Sequence, residues 1–483
     1  MSFTRQVAHN TLIQAGGKII GTILGLAIAA ILFRYLKDFG YGQYTTILTY
    51  LQLFGILMDL GLFIVLINRL APIQNLAEEN KIINNTFTFR IFTGISLLSI
   101  AIIISWFIPQ YNTVIKLGIL ITAINFLFIS LNQILTAIYQ KHLAMTKVAW
   151  AEISGKIVLL LSTLAVVFVL QSGLLMIMLT VILGSLINFL ILYWGTRKYY
   201  RLKFAFNFPL WKELWRDSWP IALSISLNMM YFKADTFLLG LFRTQNEVGI
   251  YGSPYKILEV IITLPGMFVG LVLPALSASF QEKNMERFKK IFQKAFDALV
   301  LMVAPIIGGT MIIAQPLMLL IAGKKFTDNI DDLGKILQIL IWAVGSIFIG
   351  TLTGYLIVVI KKQKTAIWAY AFVAITALIG YLILIPKYSY FGAAAVTVYS
   401  EFAMMFFTFY FLYQVTKILP RLTTLAKAVC ASFLMAIILY FLQDWPVIVL
   451  IMLGIFIYTV LIYLFRGITK QEVLEIIRIK KNA

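Results

Sequence analysis

Repeatedly, this chain runs through about 20 mainly apolar residues before a short polar break, the length that carries a helix across a bilayer. About fourteen such stretches are legible, near 12–33, 44–67, 86–108, 117–138, 148–170, 174–195, 217–242, 248–275, 295–321, 336–360, 366–385, 391–413, 428–442 and 446–465. Backbone inside hydrocarbon must satisfy its own hydrogen bonds, so stretches of this length are helices. The expected fold class is an all-α integral membrane protein with about 14 transmembrane helices. Composition agrees: 61% of the residues are hydrophobic and 12% charged, against about 25% charged in soluble domains. The first stretch follows a polar start and lacks an A-x-A-like site, so it is read as a retained helix, not a removed signal peptide.

A net charge of +20 would suit nucleic acid only as a basic stripe on a soluble surface. Here the cations fall in short loops between apolar stretches, where they report topology, and no nucleic-acid partner is expected. The basic clusters Arg197 to Arg216, Lys283 to Lys294, Lys361 to Lys364 and Arg466 to Lys481 fall on the side shared by both termini. The opposite side receives fewer, among them Arg34, Lys37, Lys116 and Arg243. Both termini are therefore expected in the cytoplasm, with the chain multi-pass in the cell (cytoplasmic, inner) membrane. Cys430 is the single cysteine, and His9 and His142 are the only histidines. Disulfide frameworks, Cys/His zinc sites and thiol catalysis lack raw material, and no metal or cofactor is expected.

Five cations interrupt the apolar stretches: Lys18, Arg90, Lys156, Lys233 and Lys256. Placing a charge at the bilayer centre costs at least about 2.5 kcal/mol, so such residues face protein or a polar cavity and mark an anionic cargo. Lys18 lies beside Gly17, Gly21 and Gly25, a small-residue face for close helix contact, and reads either as a cavity cation or as a lysine snorkelling to the interface. Lys233 and Asp235 are two apart and point to different faces, leaving Asp235 as a cross-helix partner or a coupling carboxylate. Lys256 and Glu259 can pair on one face, as can Glu152 and Lys156, whose order favours a local ion pair. Arg90 is expected to snorkel near the end of its span, with a role at a cavity entrance as the alternative. Asp59, Asp297 and Glu401 are further acids at membrane depth, and buried carboxylates open the alternative that H+ or Na+ couples transport. Asn125 and Asn132 are seven apart on one face, next to Gln133; they either hydrogen-bond sugar hydroxyls or hold helices together. Pro254, Pro265 and Pro274, and Pro305 with Gly308 and Gly309, mark gating hinges or static kinks.

The basic segment 196–216, rich in Trp and cations, reads as a linker that is either solvated or laid on an anionic leaflet. It separates an N-terminal six-helix lobe (1–195) from a second six-helix lobe (217–415), leaving two extra helices and a basic tail (416–483). Gly42 and Tyr44 open the second span as Gly249 and Tyr251 open the eighth. An even number of spans per half gives parallel repeats, with a binding site at their interface opened alternately from each side.

The runs ILFRYLKDFGYGQYTTILTYLQLFGILMDLGL (31–62) and KADTFLLGLFRTQNEVGIYGSPYKILEVIITLPGMFVGLVLPALS (233–277), with the fourteen-span plan, resemble polysaccharide flippases of the multidrug/oligosaccharidyl-lipid/polysaccharide exporter superfamily. That resemblance implies two six-helix lobes around a central cationic cavity, two extra C-terminal helices, and transfer of a polyprenyl-diphosphate-linked oligosaccharide between leaflets in polysaccharide biosynthesis. Membrane lipid and the lipid-linked glycan are the partners it implies. Physical chemistry suits that cargo: a diphosphate and a glycan need a hydrated cavity, fixed positive charge and a lateral route for the tail. Lysines would give a mobile phosphate contact, whereas arginine would grip bidentately. The residues expected to contact substrate are Lys18, Lys233, Lys256, Arg90, Asn125 and Asn132.

Two alternatives within the superfamily are a lipid II flippase and a small-molecule antiporter; a cationic drug would call for dominant intramembrane carboxylates. A membrane enzyme is not expected, because no loop could hold a nucleotide-sugar domain and no nucleophile or Gly-rich phosphate motif stands out.

Overall fold

The computed structural model describes residues 3–467 apart from Leu60 and Gln74, with side chains described from residue 13 onward except Ala15 and residues 220–232. His9 and most of the basic tail used above for orientation, residues 468–483, lie outside the described side chains. Fourteen helices follow one another without a strand among the described residues: α1 (Phe3–Asp59), α2 (Leu62–Leu70), α3 (Leu76–Trp106), α4 (Thr113–Lys141), α5 (Met145–Leu164), α6 (Leu174–Thr196), α7 (Phe208–Phe242), α8 (Gln245–Ile261), α9 (Thr263–Gln281), α10 (Met285–Ala322), α11 (Ile330–Val359), α12 (Gln363–Thr416), α13 (Thr423–Phe441) and α14 (Val447–Leu464).

Helices and membrane crossings do not correspond one to one. Among the described residues eleven stretches are long and apolar enough to cross a bilayer, and two of these span 55 and 54 residues. Each of the two holds a sharp turn, at Lys37 (φ 56°) and at Ser389 (φ 52°), so each makes two crossings. These turns bring the crossings to thirteen among the described residues, and α7, a 35-residue helix outside that set, stands where the sequence places its stretch 217–242. Conversely α1 and α2 form one broken crossing around Gly61, and α8 and α9 another around Ile262. The latter break falls between Pro254 and Pro265 rather than at a proline.

The helices gather into two compact units, residues 1–252 with 378–393, and residues 253–377 with 394–483. In the first, α4 packs on α1, α3 and α6, while α5 lies between α1 and α6. Small residues set the spacing, as membrane helices lacking a hydrophobic drive to associate require. A Cβ on Gly17 would stand 3.0 Å from Ala149 Cβ, so the glycine face of α1 does receive α5. Gly155 and Gly184 approach reciprocally: a Cβ on either would lie 2.7 or 2.9 Å from the other's carbonyl oxygen. Gly42 and Gly249 both sit where α1 meets the start of α8: a Cβ on Gly42 would stand 3.0 Å from Gly249 N, and one on Gly249 would stand 2.8 Å from the Asp38 carbonyl carbon. The glycines that reveal the sequence repeat thus meet each other in space.

The segment leading into α7 is fastened to α3. The amides of Lys203, Ala205 and Asn207 donate to Asn84 Oδ1, Thr88 Oγ1 and Asn85 Oδ1 at 3.0, 3.0 and 2.8 Å. Asn207 Oδ1 then accepts from Leu210 N at 3.1 Å and caps α7. Arg201, Lys203, Lys212 and Arg216 remain exposed along it. Beneath it, Lys141 Nζ donates to Glu79 and to Leu70 O and Ile73 O at 2.8 and 3.0 Å, and Tyr200 OH donates to Glu79.

The second unit is organised around α10, which contacts α9, α11, α13 and α14. Ser432 Oγ donates to Ala304 O at 2.6 Å and Tyr458 OH to Leu301 O at 3.0 Å, so polar side chains of α13 and α14 bond the α10 backbone.

Candidate functional site

A cavity of about 600 Å³ opens inside the first unit between α1, the break after Asp59, α4, α5 and α6. Lys18, Asp59, Asn132, Gln133, Glu152 and Asn188 are among the residues that line it. It exists because the helix at the end of α1 stops short. Gly61 adopts a left-handed conformation (φ 65°), which glycine tolerates at least cost, and the chain restarts at Leu62. The break exposes the carboxylate of Asp59 to the cavity and frees the carbonyl of Met58.

Arg90 occupies that break. Its side chain is fully buried, and Nη2 donates to Asp59 Oδ1 at 2.8 Å and to Gln133 Oε1 at 3.4 Å, while Nη1 donates to Met58 O. The expectation that Arg90 snorkels to the interface is therefore corrected. A carboxylate and a freed carbonyl, both supplied by the break 31 residues earlier in sequence, compensate the guanidinium where it lies. Arg90 faces Asp59 instead of the cavity, and the pair leaves Asp59 neutralised.

The expected Glu152–Lys156 ion pair is also corrected. Lys156 Nζ donates to Gly21 O at 2.7 Å on α1, while Glu152 points into the cavity. The physical reason is Gly21 itself: without a side chain it lets the ammonium reach the helix backbone, 3.3 Å from where a Cβ would stand. Lys256 pairs with Glu259 at 2.7 Å as its spacing suggests, both partly exposed, in the second unit. Lys233 and Asp235 are both buried on α7. Asp235 accepts from Tyr251 OH at 2.6 Å, so the tyrosine of the second repeat motif is one of its partners. Asn125 is buried on α4 outside the cavity lining, as is Glu401 on α12, and Asp297 accepts from Gln293 at 2.9 Å. Of the residues singled out from sequence, the cavity gathers Lys18, Asp59, Asn132, Gln133 and Glu152.

Sequence reasoning missed Gln14, Thr136, Gln140 and Asn188, which also line it. The signal was present. Gln14 precedes Lys18 by four residues, and Asn132, Thr136 and Gln140 recur every four on α4, so each set forms a stripe on one helix face. Lys18 is exposed at this cavity, and among the described residues no carboxylate lies within ion-pairing distance of it. No cluster of metal-ligating side chains occurs among the described residues. A second hollow of about 380 Å³ is almost wholly apolar, set between Leu57, Phe89, Phe92, Leu97, Trp211 and Trp215.

Comparison with known proteins places this architecture. A solved structure described as lipid II flippase MurJ in an inward closed conformation superposes with a TM-score of 0.77, covering 94% of this chain and 98% of that one at 16% identity. An inward-facing multidrug resistance transporter of the MATE family, of the MOP superfamily, superposes at 0.67, covering 82% and 94% at 14% identity. These likenesses establish the fold of a multi-pass membrane transporter. The capsular polysaccharide biosynthesis protein CapF of Staphylococcus aureus is 24% identical over 328 residues, 65% of this chain and 80% of that protein. A family model described as polysaccharide biosynthesis protein matches residues 31–331, which include both runs quoted above, and the chain belongs to that family.

Proposed function

We propose that this protein is a flippase that carries a polyprenyl-diphosphate-linked oligosaccharide across the cytoplasmic membrane by alternating access, moving its cargo without chemically transforming it. One observation carries the reading: a member of a polysaccharide biosynthesis family holds, within a bundle of apolar helices, a polar cavity bearing an exposed lysine. Lys18 suits a phosphate because an ammonium is a mobile point charge that can be exchanged during release. The hollow beside Trp211 and Trp215 has the apolar lining a hydrocarbon tail would require. Both termini lie on the cytoplasmic side in this reading, where basic loops are retained. Lys233 and Lys256 remain candidate contacts, and Glu152 is the carboxylate available in the cavity for ion coupling by H+ or Na+.

The lipid II and drug-antiport alternatives share the fold, and one fold serves carriers of different cargo. The family match favours the polysaccharide branch. Reconstituted protein should transfer a fluorescent polyprenyl-diphosphate sugar between leaflets faster than empty liposomes. No transfer under any imposed ion gradient would refute the proposal.

A further inference from the structure

The cavity is richer in carboxamides than a phosphate site needs. Gln14, Asn132, Gln133, Gln140 and Asn188 converge on it from α1, α4 and α6, with the Thr136 hydroxyl among them. Asn132 is 8% exposed, and neither its Oδ1 nor that of Asn188 has a hydrogen-bond partner among the described residues. A buried amide oxygen left unbonded is costly, and such atoms ask for a donor. Phosphate oxygens only accept. A sugar hydroxyl donates and accepts at once and so matches a carboxamide on both counts. A volume near 600 Å³ falls within the range of small-molecule sites.

From these residues we infer that the cavity between α1, α4, α5 and α6 is a glycan-reading subsite, its carboxamides hydrogen-bonding the sugar next to the diphosphate while Lys18 holds the phosphate. The inference rests on the flippase reading and adds a division of labour to it. Lys18 recognises what every polyprenyl diphosphate shares; Asn132, Gln140 and Asn188 recognise what only a glycosylated one carries. Gln133 Oε1 accepts from Arg90 Nη2 at 3.4 Å, the nitrogen that also donates to Asp59.

The test uses full-length protein in nanodiscs and two probes, bare polyprenyl diphosphate and the same lipid bearing one N-acetylhexosamine. Wild type should bind the glycosylated probe about tenfold more tightly, the worth of roughly two hydrogen bonds. Asn132→Leu with Gln140→Leu should bring that preference to within about twofold and leave bare-lipid affinity unchanged, whereas Lys18→Gln should weaken both probes alike. Gln140 is exposed, so Gln140→Leu alone serves if the double variant does not fold. A wild type without preference, or a variant that keeps it or loses both probes equally, overturns the subsite while leaving the flippase reading intact. A wild type that binds neither probe and transfers neither sinks both. If Glu152→Gln abolishes H+ or Na+ dependence while the carboxamide variants keep the sugar preference, the cavity serves a cation and the inference is wrong.

Discussion

Replacing Gly42 with alanine tests the closest helix contact that the sequence repeat marks. A Cβ there would lie 2.7 Å from the Gln245 carbonyl carbon and nearer still to its oxygen, and at Gly249 it would lie 2.8 Å from the Asp38 carbonyl carbon. Both obstacles are backbone, so no side chain can rotate away and the helices must separate. Overpacking of this kind costs typically about 1–3 kcal/mol, and a backbone obstacle belongs at the upper end. Alanine returns about 1 kcal/mol of helix propensity, leaving a net loss of roughly 2 kcal/mol for either substitution. The matched control is Gly354→Ala on α11, where no heavy atom lies within 4 Å of the added carbon and only the propensity gain remains. The double variant Gly42→Ala/Gly249→Ala should cost less than the sum of the two singles, because one displacement of the helices relieves both clashes. Fluorescence-detected size exclusion after heating, in a single detergent, ranks the variants. If Gly42→Ala survives as well as Gly354→Ala, the close approach of α1 and α8 is not what these glycines serve.

Arg90→Leu should destabilise by about 3–5 kcal/mol by stranding Asp59, and Arg90→Leu/Asp59→Leu should recover much of it, read by the same heating assay. Lys18→Ala should slow transfer of lipid-linked sugar at unchanged membrane insertion, with Lys18→Arg retaining more activity than Lys18→Ala; equal activity in all three would remove Lys18 from the site. His142, between α4 and α5, stacks on Tyr199 with ring centroids 4.2 Å apart and lies 3.1 Å from Tyr200 OH. Tyr200 donates to Glu79, so His142 Nε2–H is the donor to it. Partial burial lowers the His142 pKa; Glu79 opposes the shift and Lys141 adds to it. The folded state therefore prefers the neutral ring, and stability is present above the ordinary value of about 6.5 and lost as pH falls through the depressed one. Hydrogen-exchange protection in residues 197–207, corrected for the intrinsic pH dependence of exchange, should fall on acidification, and His142→Gln should remove that fall.

How much was legible divides along a physical line. The crossings were readable because each needs only a local run of apolar residues long enough for the bilayer, and even the broken α8–α9 crossing kept that length. The Gly17 and Gly21 face was readable as well, since spacing of four residues determines a helix face whatever packs there. Arg90 was misread because its partner is a carboxylate and a freed carbonyl at a helix break 31 residues away. Lys156 was misread because its acceptor, Gly21 O, belongs to a helix 135 residues earlier.

The sequence by itself determined that this chain lives in lipid as about 14 helical crossings, with glycines at the contacts and cations at membrane depth, because hydrophobic length and helical period are local properties. Apart from Lys256 and Glu259, which pair by their spacing on one helix, tertiary structure decided which of those charges meet. It neutralised Asp59 with Arg90, bound Lys156 to the α1 backbone, and brought Lys18 to a cavity of carboxamides contributed by separate helices. A charge's environment depends on what crosses its helix, and that is fixed only when the bundle closes.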